Sequence, residues 1–371
     1  MQIDLWTDPA CFDALRAEWN ALHAHSITRV PFMRAEYQQA WWSQRGGGEW
    51  PEAQLLVAVA REGGSLVGIA PLFHARNRDG RAALLIVGSI EISDYLDVLV
   101  ARAHCDAFAN HLLDRLTAPD APVWEVIDLY NLPGSSPMRA ALGRAATARG
   151  WAAAETLLEP APAIRLPGDW ETYLATMVDK KERQEIKRKL RRAEGSEEKI
   201  SWYIVGATDR AGDHDLAAET EAFLDMMTLT PDKARFLSPV MREQFRATLR
   251  AAAENGWLHL SYLTVGGQRA AAYLSFDLGN RLYVYNSAID PRFNPLSAGW
   301  VLLGYLLQWA IENKRAAFDF MRGDEDYKFR FGAVAGKIYR VQISRTLSAA
   351  ELGGEPAATH NPDEADCFPA Q

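Results

Sequence analysis

The sequence predicts an α/β protein built from two tandem copies of one β-β-β-α-β unit, with mixed, mostly antiparallel sheets flanked by helices. Two β-hairpin patterns predict it first. The apolar run from Leu55 meets Gly63-Gly64 and returns through Leu66 to Ala70, and the run from Leu258 meets Gly266-Gly267 and returns through Ala270 to Tyr273. Paired glycines supply the positive φ angles that tight hairpin turns require. The shared order of the later elements is the second observation. Each hairpin is succeeded by a third strand (Leu84–Gly88, Leu282–Asn286), an apolar helix (around His111–Asp114, Tyr305–Gln308) and a closing strand, Ile127-Asp128-Leu129 and Phe318-Asp319-Phe320. The spacing between matching segments shrinks steadily along the chain, as differing loop lengths in two related units produce.

Residues 3–7 predict a first strand. Asp8-Pro9 opens a helix on which Phe12, Leu15, Trp19 and Leu22 recur at helical spacing. Pro31 breaks the chain, and a second helix carries Tyr37, Trp41 and Trp42 until Gly46-Gly47-Gly48 ends it. The first hairpin and third strand come next, then a polar loop over 89–97, a helix over 103–117 and a strand over 123–130. A helix at 137–149 and a strand near 162–166 complete the first half. The second half opens at Asp169-Trp170 with one long charged helix to about residue 193, with Tyr173, Leu174, Met177, Ile186 and Leu190 turned to the core. After it come a strand near 199–205, helices over 215–229 and 239–255, the second hairpin, an apolar helix at 298–313, a strand at 316–320 and a terminal strand from Lys337 to Arg345. These elements divide the chain into domains at 1–166 and 167–346. The Ala-, Gly-, Glu- and Pro-rich stretch 347–371 predicts disorder.

Composition limits the function classes. The chain has 371 residues, 48% of them hydrophobic, enough for two cores. A net charge of −8 argues against non-specific nucleic-acid binding by the protein as a whole. Cys11, Cys105 and Cys367 form no disulfide framework or zinc spacing, and the 8 histidines show no metal-ligand spacing. The reading is of a metal-free protein in a reducing, cytoplasmic compartment, without a signal peptide or a membrane span. The 12 tryptophans sit mostly at apolar helical positions and read as core rather than as a sugar-stacking surface.

Several local patterns together resemble a known family. They are the Trp-bearing helices, the loop Ser93-Asp94-Tyr95-Leu96-Asp97, the basic helix from Lys181 to Arg192, the run Tyr285–Pro291, Ser297-Ala298-Gly299 opening a helix, Phe318–Gly323, and Tyr327-Lys328. Their order, over roughly residues 5–345, resembles the CelD/BcsL group of acetyltransferase-like proteins in the GNAT superfamily. It is also similar to FemAB-type proteins, which carry two GNAT-like domains. The resemblance implies acyl transfer from acetyl-CoA or another acyl-CoA to an amine or hydroxyl. The second domain would hold the acyl-CoA and the first would serve the acceptor. It further implies a small-molecule or saccharide-linked acceptor and polysaccharide-synthesis partners in exopolysaccharide, cellulose or envelope biosynthesis. Two departures from the family pattern stand out. The pyrophosphate segment Asn294–Gly299 keeps one glycine, and Met226-Met227 stand where a His is frequent.

Acyl transfer to an amine needs donors for a pyrophosphate, a proton acceptor, and stabilisation of the leaving thiolate. The resemblance places the cofactor at Asn286, Ser297, Ala298 and Gly299. Ser297 equally reads as a plain N-cap. It places catalysis at Asp319 and Tyr327, the tyrosine protonating the thiolate. Asp319 and its counterpart Asp128 alternatively tie down backbone. Asp94, Tyr95 and Asp97 in the first copy, with Arg322 and Lys328 in the second, are expected to bind the acceptor; a capped turn and a solvated charged turn are the plainer readings. The basic helix carries eight Lys or Arg between Lys180 and Arg192. As a phosphate grip it would use Lys187, Arg188 and Arg191, and as a charge run it is a solvated face. Two other classes remain open: a FemAB-type transferase dependent on aminoacyl-tRNA, and a noncatalytic GNAT-fold scaffold of a polysaccharide synthase.

Overall fold

The computed structural model describes residues 1–206 and 214–357. They form two units, Met1–Pro160 with the segment from Gly336 onward, and Ala161–Ala335. In the first, β1 (Gln2–Trp6) leads to α1 (Cys11–His25) and α2 (Ala35–Gly48). Phe12, Leu15, Trp19 and Leu22 of α1 are buried, as their spacing predicts. Helical geometry in α2 stops at Arg45, which enters the left-handed region with Gly46 and Gly47, and the Trp41 ring closes over Gly46 where a Cβ would sit 2.8 Å away. Next come β2 (Gln54–Glu62), β3 (Ser65–Arg76), β4 (Ala82–Ile86) and a short β5 (Leu99–Val100) that pairs with β3. β2 is buried along six consecutive residues, which is why its sequence is a continuous apolar run rather than an alternating one. α3 (Cys105–Arg115) crosses over to β6 (Val126–Pro133), which pairs parallel with β4. Gly68 of β3 admits the Phe108 ring of α3, with no room for a Cβ. α4 (Pro137–Ala148), capped by Ser136, and β7 (Ala152–Arg165) complete this part of the chain. β7 begins ten residues before the predicted strand and enters the second unit at Ala161.

The second unit opens with α5 (Trp170–Thr176) and α6 (Lys180–Glu194) in place of the one long helix expected. The break at Met177 is forced by packing. Gly332 approaches so closely that a Cβ there would lie 2.1 Å from the Met177 carbonyl oxygen, and the Arg183 guanidinium holds the turn by donating to the carbonyls of Ala175 and Val178. β8 (Ile200–Gly206), α7 (Leu216–Met227), α8 (Pro231–Phe236) and α9 (Pro239–Glu254) precede the repeated motif. That motif is β9 (Leu258–Val265), β10 (Gln268–Leu278), β11 (Arg281–Ile289), α10 (Ala298–Glu312) and β12 (Ala317–Asp319). It repeats β2-β3-β4-α3-β6 in order and in pairing: an antiparallel meander whose third strand pairs parallel with the strand after the helix. The two hairpin turns match in backbone conformation as well, with φ of 56° and 86° at Gly63 and Gly64 and 57° and 81° at Gly266 and Gly267. β12 pairs on its other side with Ala163–Arg165 of β7, and α11 (Asp326–Arg330) comes after it. A core of Leu302, Leu303, Leu306, Phe318, Phe320 and their neighbours fills the space between α6, α10 and the sheet.

The terminal strand, expected inside the second half, belongs mainly to the first unit. β13 (Val334–Ser344) pairs antiparallel with β6 from Ile338 to Ile343. The stretch expected to be disordered contains the capped turn α12 (Ala349–Leu352) and β14 (Glu355–Pro356), which pairs with β7. Its remainder, 358–371, with Cys367, lies outside the described residues. Of the tryptophans, Trp19, Trp41 and Trp257 are wholly buried. No helix among the described residues is long and apolar enough to cross a membrane.

Candidate functional site in the second unit

The ladder between β11 and β12 consists of three pairs ending at Tyr283–Asp319, whereas β11 continues to Ile289. A bulge between Leu274 and Ser275 of β10 bends β11 at this point. Beyond Ile289, Asp290 accepts from the Arg292 N–H and pairs with its guanidinium, closing a 3₁₀ turn over Pro291–Leu296 that delivers the chain to α10. Ser297 sits in the left-handed region with φ of 55°, and its hydroxyl caps nothing. Helix geometry therefore leaves the N–H groups of Ala298, Gly299 and Trp300 without an intrahelical acceptor, at the positive end of a 15-residue helix. Gly299 is required by close approach: a Cβ would lie 2.5 Å from Cδ1 of Ile289. Its carbonyl accepts from the Tyr273 hydroxyl at 3.4 Å.

Tyr327, on α11, packs edge-on against Phe320 with ring centroids 6.0 Å apart. Burial, with the Glu325 carboxylate, holds its phenol protonated well above the usual tyrosine value, and Tyr327 in turn acts on the buried Tyr273 phenol in the same direction. On the α8 side of β11 stands a residue that the sequence does not single out. Nζ of Lys233 donates to Oδ1 of Asn286 at 3.0 Å and to the Ser287 carbonyl. Burial pushes this lysine down to about 8, against a smaller opposing pull from Glu325. The one available signal was Thr230-Pro231, a helix start that would place Lys233 at the head of a short helix. Nothing in the sequence marks the lysine as buried. Asn286 also accepts from the Ser287 N–H at 2.8 Å, so its side chain organises both β11 and Lys233.

The other candidates divide. Asp319 is 1% exposed and lies opposite Phe318 and Phe320, as strand alternation predicts. Its carboxylate accepts from Arg281 at 3.2 Å and from the Met321 N–H at 2.8 Å. Its counterpart Asp128 is fully buried, gripped by both arms of Arg340 at 2.7 and 2.8 Å and by Asn77 at 2.7 Å. Asp319 thus ties down a backbone N–H and an arginine, and Asp128 an arginine and an asparagine side chain. Lys328, 2% exposed, donates to the Arg322 carbonyl at 2.6 Å and pairs with Glu325 at 2.8 Å, so it folds the 322–325 turn. Arg322, half-buried, contributes its carbonyl to that turn. In the first unit Asp94, Tyr95 and Asp97 are all buried. Asp97 accepts from Thr28 and from the Val98 N–H, and desolvation raises it to about 6 despite these bonds. On α6, Arg188 and Arg191 share one face with Lys181, whereas Lys187 pairs with Glu171 at 2.9 Å. Among the described residues no group of His, Cys, Asp and Glu is placed to hold a metal ion.

Residues 180–329 match the family model described as an acetyltransferase (GNAT) domain, a span running from α6 to α11 and containing the whole β11–α10 arrangement. No curated protein sequence matches the chain. Among solved structures, FemX superposes with a TM-score of 0.62 at 11% identity, covering 92% of this chain and 97% of that one. The C-terminal domain of a putative lysylphosphatidylglycerol synthetase from Agrobacterium fabrum gives 0.55 at 9% identity, covering 92% and 94%. L-PGS from Bacillus licheniformis gives 0.54 at 12%, covering 94% of each chain. At such identities the likeness is one of fold. The chain has a GNAT-type α/β fold over nearly its full length, with the motif present twice.

Proposed function

We propose that this protein is an acyltransferase that moves an acyl group from acyl-CoA to an amine, with its donor site on β11 and the start of α10. The observation that carries the reading is the uncapped N-terminus of α10 beside a glycine that a strand side chain forces to lack a Cβ. Unsatisfied N–H groups and the helix dipole are a ready anion site, so Ala298, Gly299 and Trp300 would hold a pyrophosphate. Bound acyl-CoA supplies an activated thioester carbonyl. The chain's residues supply the proton handling. Tyr327 stays protonated across the physiological range and can donate to a departing thiolate. Lys233, lowered to about 8, is the group whose neutral form can receive the acceptor's proton. Asp319, committed to Arg281 and the Met321 N–H, fixes the chain as it leaves β12 toward α11, which carries Tyr327. Asn286 positions Lys233. The acceptor residues expected in the first unit, Asp94, Tyr95 and Asp97, are not needed for this donor-site reading, and a saccharide-linked acceptor in polysaccharide synthesis is its narrower form.

The full-length likeness to FemX, to the putative lysylphosphatidylglycerol synthetase domain and to L-PGS supports a second reading, in which an aminoacyl group replaces the acyl-CoA donor. One titration separates them. Calorimetry of the purified protein with acetyl-CoA should show binding in the roughly micromolar to millimolar range typical of enzyme substrates, and Gly299→Glu should abolish it while circular dichroism stays native. Absence of binding at millimolar acetyl-CoA rejects the acyl-CoA reading and leaves the aminoacyl donor.

A further inference from the structure

A cluster of positive charge on α6 has no part in the donor site just described. Lys181, Gln184, Arg188 and Arg191 recur at i, i+3, i+7 and i+10, so helical geometry stacks them on one exposed face. With Glu182, Glu185 and Arg330 of α11 they line a groove of about 440 Å³. The two glutamates are already engaged. Glu182 accepts from Arg330 at 2.9 Å, and Glu185 is clamped by Arg188 at 2.7 and 2.8 Å, with Lys189 3.5 Å away. Arg188 holds the Glu185 carboxyl down to about 2, so this acid stays charged and paired. Lys181 and Arg191 are left over. No described carboxylate lies within ion-pairing distance of either, and the Arg191 guanidinium donates to the Lys187 carbonyl at 3.2 Å. In a chain of net charge −8, two exposed cations on one helix face with no carboxylate partner among the described residues are available to an anionic ligand.

The groove is also placed next to the donor site. Arg330 of its lining stacks over Trp300, the residue after Gly299, with the guanidinium 4.6 Å from the ring centroid, and Lys189 Nζ lies 3.8 Å from the same centroid. The N–H groups at the start of α10 and the groove's Arg330 therefore meet at one tryptophan.

We propose that this groove binds a terminal phosphate group, held chiefly by Lys181 and Arg191. Two sources share that chemistry. One, which rests on the acyl-CoA reading, is the 3′-phosphate of the nucleotide whose diphosphate occupies the start of α10. The other is a phosphate carried by the acceptor. The test compares the full chain with its Lys181→Ala/Arg191→Ala variant; both positions are exposed and support no core contact. Calorimetry measures acetyl-CoA and 3′-dephospho-acetyl-CoA, and ³¹P line broadening measures inorganic phosphate. If the cofactor supplies the phosphate, the unsubstituted protein binds acetyl-CoA at least about tenfold more tightly than the dephospho form, the effect of a charge-assisted contact. The variant then erases that preference and leaves dephospho binding unchanged. If the acceptor supplies it, both coenzyme forms bind alike in both proteins, while the variant loses the broadening of inorganic phosphate. Should neither coenzyme form bind at all, the acyl-CoA reading falls and the inorganic-phosphate arm still decides the groove. A variant that matches the unsubstituted protein with all three probes overturns the proposal.

Discussion

Asp319 and Tyr327 stand eight positions apart in the chain and answer differently to removal. Asp319 is buried against a partly exposed arginine and a backbone N–H. Taking its carboxylate away breaks the Arg281 ion pair and leaves the Met321 N–H without its acceptor, so Asp319→Ala should lower stability by about 3 kcal/mol in urea unfolding, the cost of breaking a largely buried pair. Tyr327→Phe removes a hydroxyl that makes no core hydrogen bond among the described residues. It should leave the urea midpoint within about 1 kcal/mol of the parent while slowing acyl transfer. Lys233 gives a third residue-scale prediction. Competitive labelling with acetic anhydride across pH, read by peptide mass spectrometry, should show Lys233 becoming reactive around pH 8, whereas exposed lysines do so near 10.4. A Lys233 profile that tracks the exposed lysines would remove it as proton acceptor. Alternation around Phe318 and Phe320 made the direction of Asp319 legible in the sequence, but its arginine partner was not, because the pair is set by strand register.

At the scale of elements, the two hairpins offer a direct comparison between the copies. Gly64 and Gly267 share a φ above 80°, and nothing lies within 4 Å of an added Cβ at either. The cost of alanine is thus pure backbone conformation. Gly64→Ala and Gly267→Ala should each destabilise by about 1 kcal/mol, and by the same amount within experimental error, in chemical unfolding. These turns were legible because a Gly-Gly pair between apolar runs has one economical conformation. The order strand, strand, strand, helix, strand was legible for the same reason in both copies. What was not legible depended on contacts from far along the chain. The break between α5 and α6 is imposed by Gly332, more than 150 positions away. α8 and α11 are too short for periodicity to register, and they carry Lys233 and Tyr327. The proposed donor site was therefore half legible: Gly299 and Asn286 stand out by motif order, Lys233 not at all.

For the whole molecule, one buried histidine in each unit lowers stability in acid. Burial pushes both His23 and His259 down to about 4. His23 donates through Nε2 to the Val30 carbonyl, with Arg29, Arg34 and Glu36 nearby, whereas neither ring nitrogen of His259 has a hydrogen-bond partner among the described residues, with Asp277 and Arg315 its charged neighbours. Unfolded imidazoles take up a proton near pH 6.5, so the unfolded state gains protons first as pH falls. Stability is then complete above about pH 6.5 and declines toward pH 4, by about 2–3 kcal/mol for each histidine. Urea unfolding of the parent and of His259→Leu at about pH 7.5 and about pH 4.5, on either side of that window, checks this, and the variant should lose less stability on acidification.

The pairing of β13 with β6 means that the second unit is nested inside the first in chain order. On the ribosome, β6 is finished at Pro133, but the strand that covers its edge starts at Val334. At roughly 5–20 residues per second of synthesis, that edge and the buried Asp128 wait on the order of ten seconds or more for Ile338–Ile343 and Arg340. The inner unit, whose segments are contiguous, is the first able to close. A stalled or prematurely terminated chain ending near residue 335 would thus release a finished inner unit tethered to an outer one with an open strand edge, a species built to aggregate rather than to function.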